Sequence, residues 1–455
     1  MGSLAGMLRQ RGYRVTGSDD HVYPPMSDFL ENEGISLFTG FDARHLQPAP
    51  DLVIVGNAVS RGNPELEVVL DSGIPYTHFP EVLRDEFLQG KRPLVVSGTH
   101  GKTTTTAMTT HLLRSAGLEP SWLVAGLPRD LPRPYHVGKG DWFVVEGDEY
   151  DSAYFAKFSK FLFYRPQLLI INNIEFDHAD IFRDLDDIRR VFQQVINQVP
   201  QSGLILASGD DPVVAEVTEQ SPAPVQTFGL GPSNHWRAAD IRAEPDAQSF
   251  ELLGLNGSYG RMRLRMWGEH NLRNALASIA ASAFVGVDPA SISAGLEKFV
   301  GVRRRQELLG TVGDVTLIDD FAHHPTAVEQ TLAGLRTAYP EGRLWAVFEP
   351  ASSTNSRDTF EADYVSAFTH ADAVVVGAVP RPERSRGDTP FSAERLILQI
   401  RAHGIEAWNF TDTQKIVDHL LANTRAGDQV VFMSNGGFGG VQAKTLAALK
   451  DQVRG

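Results

Sequence analysis

Short apolar runs alternate with helix-length segments along this 455-residue chain. In the first 90 residues, the pattern predicts a helix over residues 4–10, a strand over residues 13–16 that ends at Gly17-Ser18-Asp19, and a strand over residues 51–55. Strands that alternate with helices are typical of a mostly parallel sheet. We therefore expect a small α/β domain over residues 1–90.

A second domain is expected over residues 91–301. Apolar runs at residues 94–97, 142–145 and 168–171 predict buried parallel strands, and the last two end in polar clusters. Residues 250–255 and 261–266 flank Asn256-Gly257, a dipeptide that favours tight hairpin turns. The second domain should combine a parallel sheet with a small antiparallel insertion over residues 234–267.

A third domain is expected over residues 302–455. Apolar runs at residues 316–318, 344–348, 373–376 and 430–433 predict strands, and helix-length segments separate them. This is a second doubly wound α/β pattern. Several domains also suit the length, because single cores rarely grow beyond roughly 250–300 residues.

Composition excludes several classes of function. The net charge is −14, which disfavours general nucleic-acid binding, and the chain has no cysteine for disulfides or thiolate metal sites. No apolar run approaches the roughly 20 residues that span a bilayer. Arg9, Arg11 and Arg14 interrupt the apolar residues of the N-terminus, so we expect no signal peptide. We expect a cytoplasmic protein with no membrane contact and find no sign of an obligate protein partner.

A candidate phosphate loop lies between a predicted strand and a predicted helix. Its sequence is Gly98-Thr99-His100-Gly101-Lys102-Thr103. At such a junction, backbone N–H groups and the helix N-terminus hold phosphate, the lysine reaches the β- and γ-phosphates, and the threonine hydroxyl binds Mg²⁺. The strict pattern has a glycine where this chain has Val96, so the loop is a shorter variant. The alternative is a chance Gly-Lys-Thr turn.

Acidic clusters follow the next two predicted strands. Glu146 opens the cluster at residues 146–151, and His178 lies in the cluster at residues 172–180. Sites in parallel sheets form at the carboxyl ends of the strands, and carboxylates suit Mg²⁺. Glu146 is therefore a candidate metal ligand and His178 a second one. A solvated acidic loop and a structural histidine are the alternatives.

Three further groups extend the candidate site. Asn271 and Asn274 are three residues apart and would share a helix face, where they could hold a nucleotide or simply pack the helix. A run of arginines at residues 303–305 could clamp phosphate or form a solvated face. Polar residues follow predicted strands at 319–325 and 434–440, where the glycines of the latter would allow backbone to approach a ligand.

Together these motifs resemble the Mur ligase family over essentially the whole chain. The family's order is kept by the phosphate loop and by residues 146–151, 173–180, 268–274, 303–305 and 319–326. His323-His324-Pro325-Thr326 favours the muramate-binding branch. Residues 23–27, 56–64, 149–151 and 433–440 are similar to the members that ligate a tripeptide to UDP-N-acetylmuramate.

The resemblance implies an α/β fold of three domains. They are a truncated, Rossmann-like N-terminal domain for the UDP-sugar, a central P-loop-type ATPase sheet with its antiparallel insertion, and a Rossmann-like C-terminal domain for the incoming amine. It implies an ATP-dependent ligase with Mg²⁺ as cofactor. The implied substrates are UDP-N-acetylmuramate and the tripeptide L-Ala-γ-D-Glu-meso-diaminopimelate, in peptidoglycan recycling.

The resemblance also implies roles for individual residues. It implies catalytic roles for Lys102, Glu175, His178 and Arg305, with Glu175 at the position where some members carry a carbamylated lysine. The implied metal ligands are Thr103, Glu146 and His178. The implied ATP contacts are Gly98, Thr99, His100, Gly101, Lys102, Thr103, Thr104, Asn271, Arg304, Arg305 and Asp320. The implied substrate contacts are Ser18, Asp19, Asn57, Asp151, His323, Ser352 and Asn435.

Two departures from the family pattern leave alternatives open. The family's first strand and its glycine-rich turn are absent ahead of Met1. A late start site and a truncation are the two explanations, and either one affects the expected UDP site. Ala351 and Ser353 stand where relatives usually have arginine and asparagine, which affects the expected peptide contacts. The alternatives are an L-alanine ligase of the same family and a non-catalytic nucleotide-binding remnant.

Overall fold

The computed structural model describes residues 1–20, 22, 26–177, 181–244, 246–350, 361–379 and 391–454. Its internal contacts divide the chain into two compact units. The first unit comprises residues 1–176, 184–236 and 277–295, and the second comprises residues 177–183, 237–276 and 296–455. The domain limits predicted at residues 90 and 301 remain predictions.

Residues 1–90 form short elements. The strands are β1 (Thr16–Asp19), β2 (Ser36–Thr39), β3 (Val53–Val55) and β4 (Tyr76–His78). The helices are α1 (Gly2–Gln10), α2 (Met26–Asn32), α3 (Pro64–Ser72) and α4 (Phe79–Leu83), with a 3-10 turn at Ala43–Leu46 and a π-helical turn at Arg84–Leu88. β1 pairs with β2 and β3 pairs with β4, both in parallel.

The next 210 or so residues carry the largest number of strands. The strands are β5 (Arg92–Ser97), β6 (Ser121–Leu123), β7 (Tyr135–His136), β8 (Trp142–Gly147), β9 (Asp151–Ala153), β10 (Ala156–Ser159), β11 (Leu168–Ile171), β12 (Leu204–Ser208), β13 (Val225–Gly229), β14 (Trp236–Glu244), β15 (Ala247–Gly254) and β16 (Gly257–Leu264). The helices are α5 (Lys102–Ser115), α6 (Leu185–Ile196), α7 (Pro212–Thr218), α8 (Glu269–Val285) and α9 (Pro289–Lys298), with a 3-10 turn at Lys160–Phe163.

The remaining elements belong to the second unit. The strands are β17 (Glu307–Val312), β18 (Val315–Asp320), β19 (Leu344–Phe348), β20 (Ala373–Val376), β21 (Glu406–Asn409) and β22 (Gln429–Met433). The helices are α10 (Pro325–Ala338), α11 (Glu361–Ala367), α12 (Ala393–Ala402), α13 (Thr413–Asn423) and α14 (Val441–Arg454), with 3-10 turns at Phe368–His370 and Phe438–Gly440.

The first unit is built on a parallel sheet with the strand order β13-β12-β11-β5-β8-β6, and β7 adds an antiparallel edge beside β6. The three central strands β11, β5 and β8 are fully buried along almost their whole length, which explains their continuous apolar sequences. Their register is even, because Ser97 lies opposite both Ile171 and Gly147. The segments that follow these three strands therefore leave the sheet side by side.

Helix α1 contacts this sheet through its edge strand β7. Gly6 faces Tyr135, and a Cβ atom on Gly6 would lie 2.3 Å from the Tyr135 hydroxyl oxygen. Phe29 packs edge-on against the same ring at 5.6 Å, and Arg133 pairs with Glu33 at 2.8 Å. Since the Tyr135 ring is fully buried, the first 40 residues cover apolar surface of the sheet.

The second unit contains an antiparallel three-stranded meander and a six-stranded sheet. The meander has the order β14-β15-β16, and the six-stranded sheet has the order β17-β18-β22-β19-β20-β21. Only β17 runs antiparallel to its neighbour in the six-stranded sheet. Along β19, Ala346 and Phe348 join one apolar core while Trp345 and Val347 join the other, so helices cover both faces.

The predicted elements differ from the structure in three respects. The strand predicted at residues 13–16 is wrong, because Tyr13 closes helix α1 through its N–H bond to the Leu8 carbonyl and β1 begins at Thr16. The predicted hairpin is present, but its turn is shifted by one residue: Gly254 pairs with Gly257, so Asn256 is the second turn residue. The sequence did not predict ten further strands, which are β2, β4, β6, β7, β9, β10, β12, β13, β17 and β21.

Side-chain caps fix where several helices begin. Asn63 accepts hydrogen bonds from the N–H groups of Glu65 and Leu66 at the start of α3, and Pro64 follows it. Asp211 caps α7 in the same way. None of the described helices combines the length and apolarity that crossing a membrane requires.

Candidate active site

The phosphate loop adopts a backbone that requires glycine at its first position. Gly98 has φ +130°, and a Cβ there would lie 3.0 Å from the backbone nitrogen and oxygen of Asn173. Gly101 caps α5, and no described side chain caps that helix end. The first N–H groups of α5 are thus left without helical or side-chain acceptors, which suits them to hold a phosphate.

The segment after β11 braces this loop. The Thr99 N–H donates to the Asn173 carbonyl at 3.1 Å, and the His100 N–H donates to the Asn173 side-chain oxygen at 2.7 Å. Thr99 also exchanges hydrogen bonds with the backbone of Glu175. Nε2 of His100 lies 3.2 Å from a Glu175 carboxylate oxygen. Glu175 therefore lies beside the phosphate loop, and its catalytic role stays a prediction.

Lys102 lies at the first position of α5 and points back across the loop. Its Nζ donates to the Gly98 carbonyl at 2.7 Å and to Glu149 at 2.9 Å. Burial alone would lower the pKa of Lys102, but the Glu149, Asp148 and Glu146 carboxylates outweigh it and raise that pKa. The ammonium group therefore stays charged in a half-buried position beside the loop.

Thr103 and Glu146 form the second link between the loop and β8. The Thr103 hydroxyl donates to one Glu146 oxygen at 2.9 Å, and the Ala125 N–H donates to the other at 2.6 Å. Burial and the neighbouring Asp148 raise the pKa of Glu146 to about 7. A buried carboxylate whose pKa stays raised although Lys102 favours its charged form, next to a hydroxyl oxygen, fits a hard cation such as Mg²⁺.

Two lysines balance the remaining acids after β8. Lys160 pairs with Asp148 at 3.0 Å and lies 4.0 Å from the centre of the Tyr150 ring. Although burial would raise the pKa of Asp148, Lys160 and Lys102 lower it below its usual value. Lys157 is paired with Asp151, which is buried. Asp151, a predicted substrate contact, therefore lies in the same acidic group as Glu146.

The predicted substrate residues of the first 90 residues are spread over two places. Ser18 lies 3.4 Å from Nδ1 of His45, which in turn lies 2.7 Å from Glu65. Asp19 follows Ser18 at the exposed end of β1, whereas Asn57 is exposed after β3. A structural role explains part of the motif at residues 56–64, because Asn63 and Pro64 start helix α3.

In the second unit, the two candidate arginines have different surroundings. Arg304 donates to the backbone carbonyls of Ser434 and Gly436 at 2.6 and 2.7 Å and lies 3.5 Å from Asp319. Arg305 lies over the Phe321 ring at 4.5 Å, and its charge acts on Asp320. Arg304 therefore ties β18 to the segment after β22, and the role of Arg305 toward a ligand stays a prediction.

Asn271, Asn274 and Asp320 are brought together by a residue that was not predicted. The Gln306 side-chain oxygen accepts from Nδ2 of Asn271 at 3.2 Å, and the Gln306 N–H donates to Asp320 at 2.7 Å. Asn274 donates to the Asn271 oxygen at 3.3 Å, so the two asparagines share a face of α8 as predicted. The nucleotide contacts that the sequence predicted in this unit thus form one connected group.

The other predicted residues of this unit lie after β18 and β22. The His323 carbonyl accepts from the Tyr364 hydroxyl, and Nδ1 of His323 lies 3.0 Å from the Phe321 carbonyl oxygen. Asn435 is half-buried next to Ser434, whose hydroxyl donates to Glu349 at 2.5 Å. His178 and Ser352, with Ala351 and Ser353, lie outside the described residues.

Sequence reasoning missed Gln306, Glu349, Lys160 and the role of Asn172 and Asn173. Each acts through a partner that is distant in sequence, as with Gln306 and Asn271, which are 35 residues apart. Asn172 and Asn173 could have been recognised, since they follow a buried strand at the edge where ligands bind. The others carry no local sequence signal.

Asp319 makes the stability of the second unit depend on pH. Burial raises its pKa to about 6 from an ordinary 3.8, although Arg304 and Gln442 favour the charged form. Below pH 3.8 the Asp319 carboxyl is protonated in both the folded and the unfolded chain. As the pH rises through about 6, Asp319 loses this proton in the folded chain, which must then bury a negative charge. We expect Asp319→Asn to raise the free energy of unfolding by about 2 kcal/mol at pH 8 and hardly at all at pH 4.

Urea unfolding at the two pH values checks this expectation. Asp314→Asn is the matched control, because Asp314 is exposed in the turn between β17 and β18. A gain from Asp319→Asn that is equal at both pH values would contradict the burial argument.

Comparison with known proteins covers the chain from end to end. Residues 1–90 match the family described as "Mur ligase family, catalytic domain", residues 96–282 match "Mur ligase middle domain", and residues 304–436 match "Mur ligase, glutamate ligase domain". The three matches follow one another in the order of the three predicted domains.

Curated relatives and solved structures agree with these matches. UDP-N-acetylmuramate–L-alanyl-gamma-D-glutamyl-meso-2,6-diaminoheptandioate ligases of Escherichia coli K12 and Haemophilus influenzae are each 41% identical, over 99% of this chain and 96% and 97% of theirs. The crystal structure of a murein peptide ligase from Psychrobacter arcticus superimposes with a TM-score of 0.75 at 35% identity, over 99% of this chain and 96% of that one.

These similarities confirm the resemblance that the motifs suggested, including its tripeptide-ligating branch, and they confirm the three-domain α/β fold class. Members of this family use ATP to form amide bonds. This chain therefore belongs to the Mur ligase family and is a ligase of cell-wall peptidoglycan, as its fold, its phosphate loop and the three consecutive family matches show.

Proposed function

We propose that this chain uses ATP to join the tripeptide L-Ala-γ-D-Glu-meso-diaminopimelate to UDP-N-acetylmuramate, in the recycling of peptidoglycan. The observation that carries the ATP-dependent step is the placement of Lys102 and Thr103 against Glu149 and Glu146 where β5 and β8 end. The choice of substrates is supported by the likeness over nearly the whole chain to relatives named for this reaction.

In the first step, the lactyl carboxylate of the muramic acid attacks the γ-phosphorus of ATP, ADP leaves, and an acyl phosphate forms. Two anions must meet for this, so the protein has to supply positive charge and position. We propose that the Lys102 ammonium contacts the β- and γ-phosphates and that Arg305 supplies a further positive charge. A Mg²⁺ held by Thr103 and Glu146 would neutralise charge on the phosphates, and we propose His178 as a further ligand.

In the second step, the α-amine of the tripeptide attacks the acyl carbonyl and phosphate leaves. The amine loses a proton as the amide bond forms, and we propose that the carboxylate of Glu175, braced beside His100, accepts that proton. Water competes with the amine for the acyl phosphate, so the site has to exclude it. Ser18, Asp19, Asn57, Asp151, His323, Ser352 and Asn435 are proposed substrate contacts.

Product mass tests the proposed substrates. With UDP-N-acetylmuramate, ATP and Mg²⁺, we expect the tripeptide to give ADP, phosphate and a product whose mass is the sum of both substrates less one water. We expect L-alanine alone to give no more than about 1% of that rate, because it lacks the contacts that the rest of the peptide makes. A product that forms only with alanine would instead identify the L-alanine ligase. ATP binding with no amine-dependent phosphate release would identify a non-catalytic protein.

A further inference from the structure

Asn173 binds two consecutive residues of the phosphate loop through its side chain and its backbone. Its side-chain oxygen accepts from the His100 N–H at 2.7 Å, and its Nδ2 donates to the carbonyl of the same residue at 3.3 Å. Its backbone carbonyl accepts from the Thr99 N–H at 3.1 Å. Asn173 therefore holds both polar groups of the His100 backbone and the adjoining N–H group, although it lies 73 residues further along the chain.

The segment that carries Asn173 is itself held in place. The Asn172 N–H donates to the Ser97 carbonyl at 3.0 Å, which continues the pairing of β11 with β5. Ile174 is fully buried, and its N–H donates to the Asp211 side chain at 3.0 Å. Asn173 thus lies between two neighbours that the sheet and the start of α7 fix, so it gives the loop a rigid support.

These bonds decide which donors of the loop remain for a phosphate. The N–H groups of Thr99 and His100 point to Asn173, so neither is left to hold an anion. The Thr105 N–H donates to the Gly101 carbonyl at 3.0 Å and closes the first turn of α5, so the N–H groups ahead of it in the helix lack a helical acceptor. A phosphate therefore has to bind at the start of α5, where the helix dipole also favours negative charge.

We propose that Asn173 is a positioning residue that keeps the phosphate loop in its phosphate-binding conformation before the nucleotide arrives. This inference rests on the proposed function, in which the loop binds ATP. A loop fixed in its binding conformation loses little entropy when the ligand binds, whereas a loop that samples other conformations binds in proportion to its competent fraction. Loss of the Asn173 side chain should therefore weaken phosphate binding and leave the reaction of bound ATP largely intact.

Calorimetry on the full chain in the presence of Mg²⁺ tests this inference, with ATP and inorganic triphosphate as the two probes. Inorganic triphosphate has no base or ribose, so its affinity reports on phosphate contacts alone. Asn173→Ala removes both side-chain bonds to His100, and we expect Kd for each probe to rise roughly tenfold. In the ligation assay, KM for ATP should rise by a similar factor, while kcat and KM for UDP-N-acetylmuramate change less than about threefold.

Asn234→Ala is the matched control for the loss of an asparagine side chain. Asn234 is buried in the same unit, and its Nδ2 donates to Asp210 at 2.8 Å and to the Gly231 carbonyl at 3.1 Å, in a turn after β13. We expect Asn234→Ala to lower the melting temperature and to keep Kd for triphosphate within about threefold of wild type. If Asn173→Ala does not fold, Asn173→Ser provides the same comparison, because serine is too short to make both bonds.

The outcomes separate the inference from the function on which it rests. A wild-type chain that binds triphosphate, with an unchanged Kd in Asn173→Ala, would overturn the inference alone. An equal loss of affinity in Asn234→Ala would overturn it too, since general loosening would then be the cause. A chain that shows the Asn173 effect on binding and yet forms no ligation product would support the inference and overturn the proposed function. A chain that binds neither ATP nor triphosphate would overturn both.

Discussion

Replacing Lys102 by methionine is expected to lower kcat for tripeptide ligation by about 10³-fold or more. Its ammonium is half-buried, charged and fixed across the phosphate loop by the Gly98 carbonyl and Glu149. A fixed cation at the phosphates stabilises charge that develops in the transition state, and in a buried site it is worth far more than in water. Methionine keeps the length and loses the charge.

The effect of removing the Lys102 charge has to be measured in a variant that also lacks the negative charge of Glu149. Removing Lys102 alone would leave Glu149 buried without its partner, which costs about 3–5 kcal/mol and could unfold the protein. We therefore compare Lys102→Met/Glu149→Gln with Glu149→Gln alone, using amine-dependent phosphate release. A double variant that is as active as the single one would show that Lys102 has no part in the reaction.

Glu146→Gln is expected to raise the Mg²⁺ concentration for half-maximal activity on the order of 100-fold. Glutamine keeps the shape of the side chain and an oxygen for Thr103 or Ala125, but it lacks the negative charge that a metal ion requires. Burial already disfavours the charged form, as the raised pKa of Glu146 indicates, so the variant should be no less stable than wild type without metal. Weaker activity would then reflect the metal site.

Activity at increasing Mg²⁺ concentrations, with thermal unfolding measured in parallel, checks this expectation. Glu219→Gln is the matched control, because Glu219 is an exposed acid in the same unit. An unchanged Mg²⁺ requirement in Glu146→Gln would remove Glu146 from the metal site.

The sequence predicted the parts of the site that depend on local signals. A buried apolar strand, a glycine loop and a following helix can be recognised within 20 residues, and polar clusters after neighbouring strands have to meet at the carboxyl edge of a parallel sheet. The register of β11, β5 and β8 bears this out, because Gly98, Asp148 and Asn172 follow adjacent strand ends.

Strand β12 (Leu204–Ser208) is a buried apolar run that was overlooked, but two other missed strands lack such a signal. β17 and β21 are the two edge strands of their sheet, and much of each is exposed, so neither forms a continuous apolar run. Gln306 likewise looks like an ordinary polar residue in the sequence. Its importance comes from partners 14 and 35 residues away, which only the folded chain brings to it.

The contact between Gly6 and Tyr135 limits how this protein can be divided. An expression fragment that begins after residue 90 would expose the ring of Tyr135 and the edge of β7 to water. We expect such a fragment to associate through that strand, because an uncovered apolar edge is a template for pairing with another chain. The apolar surface that one segment covers on another therefore decides which segments of this ligase can be produced separately. The order of motifs along the sequence does not decide it.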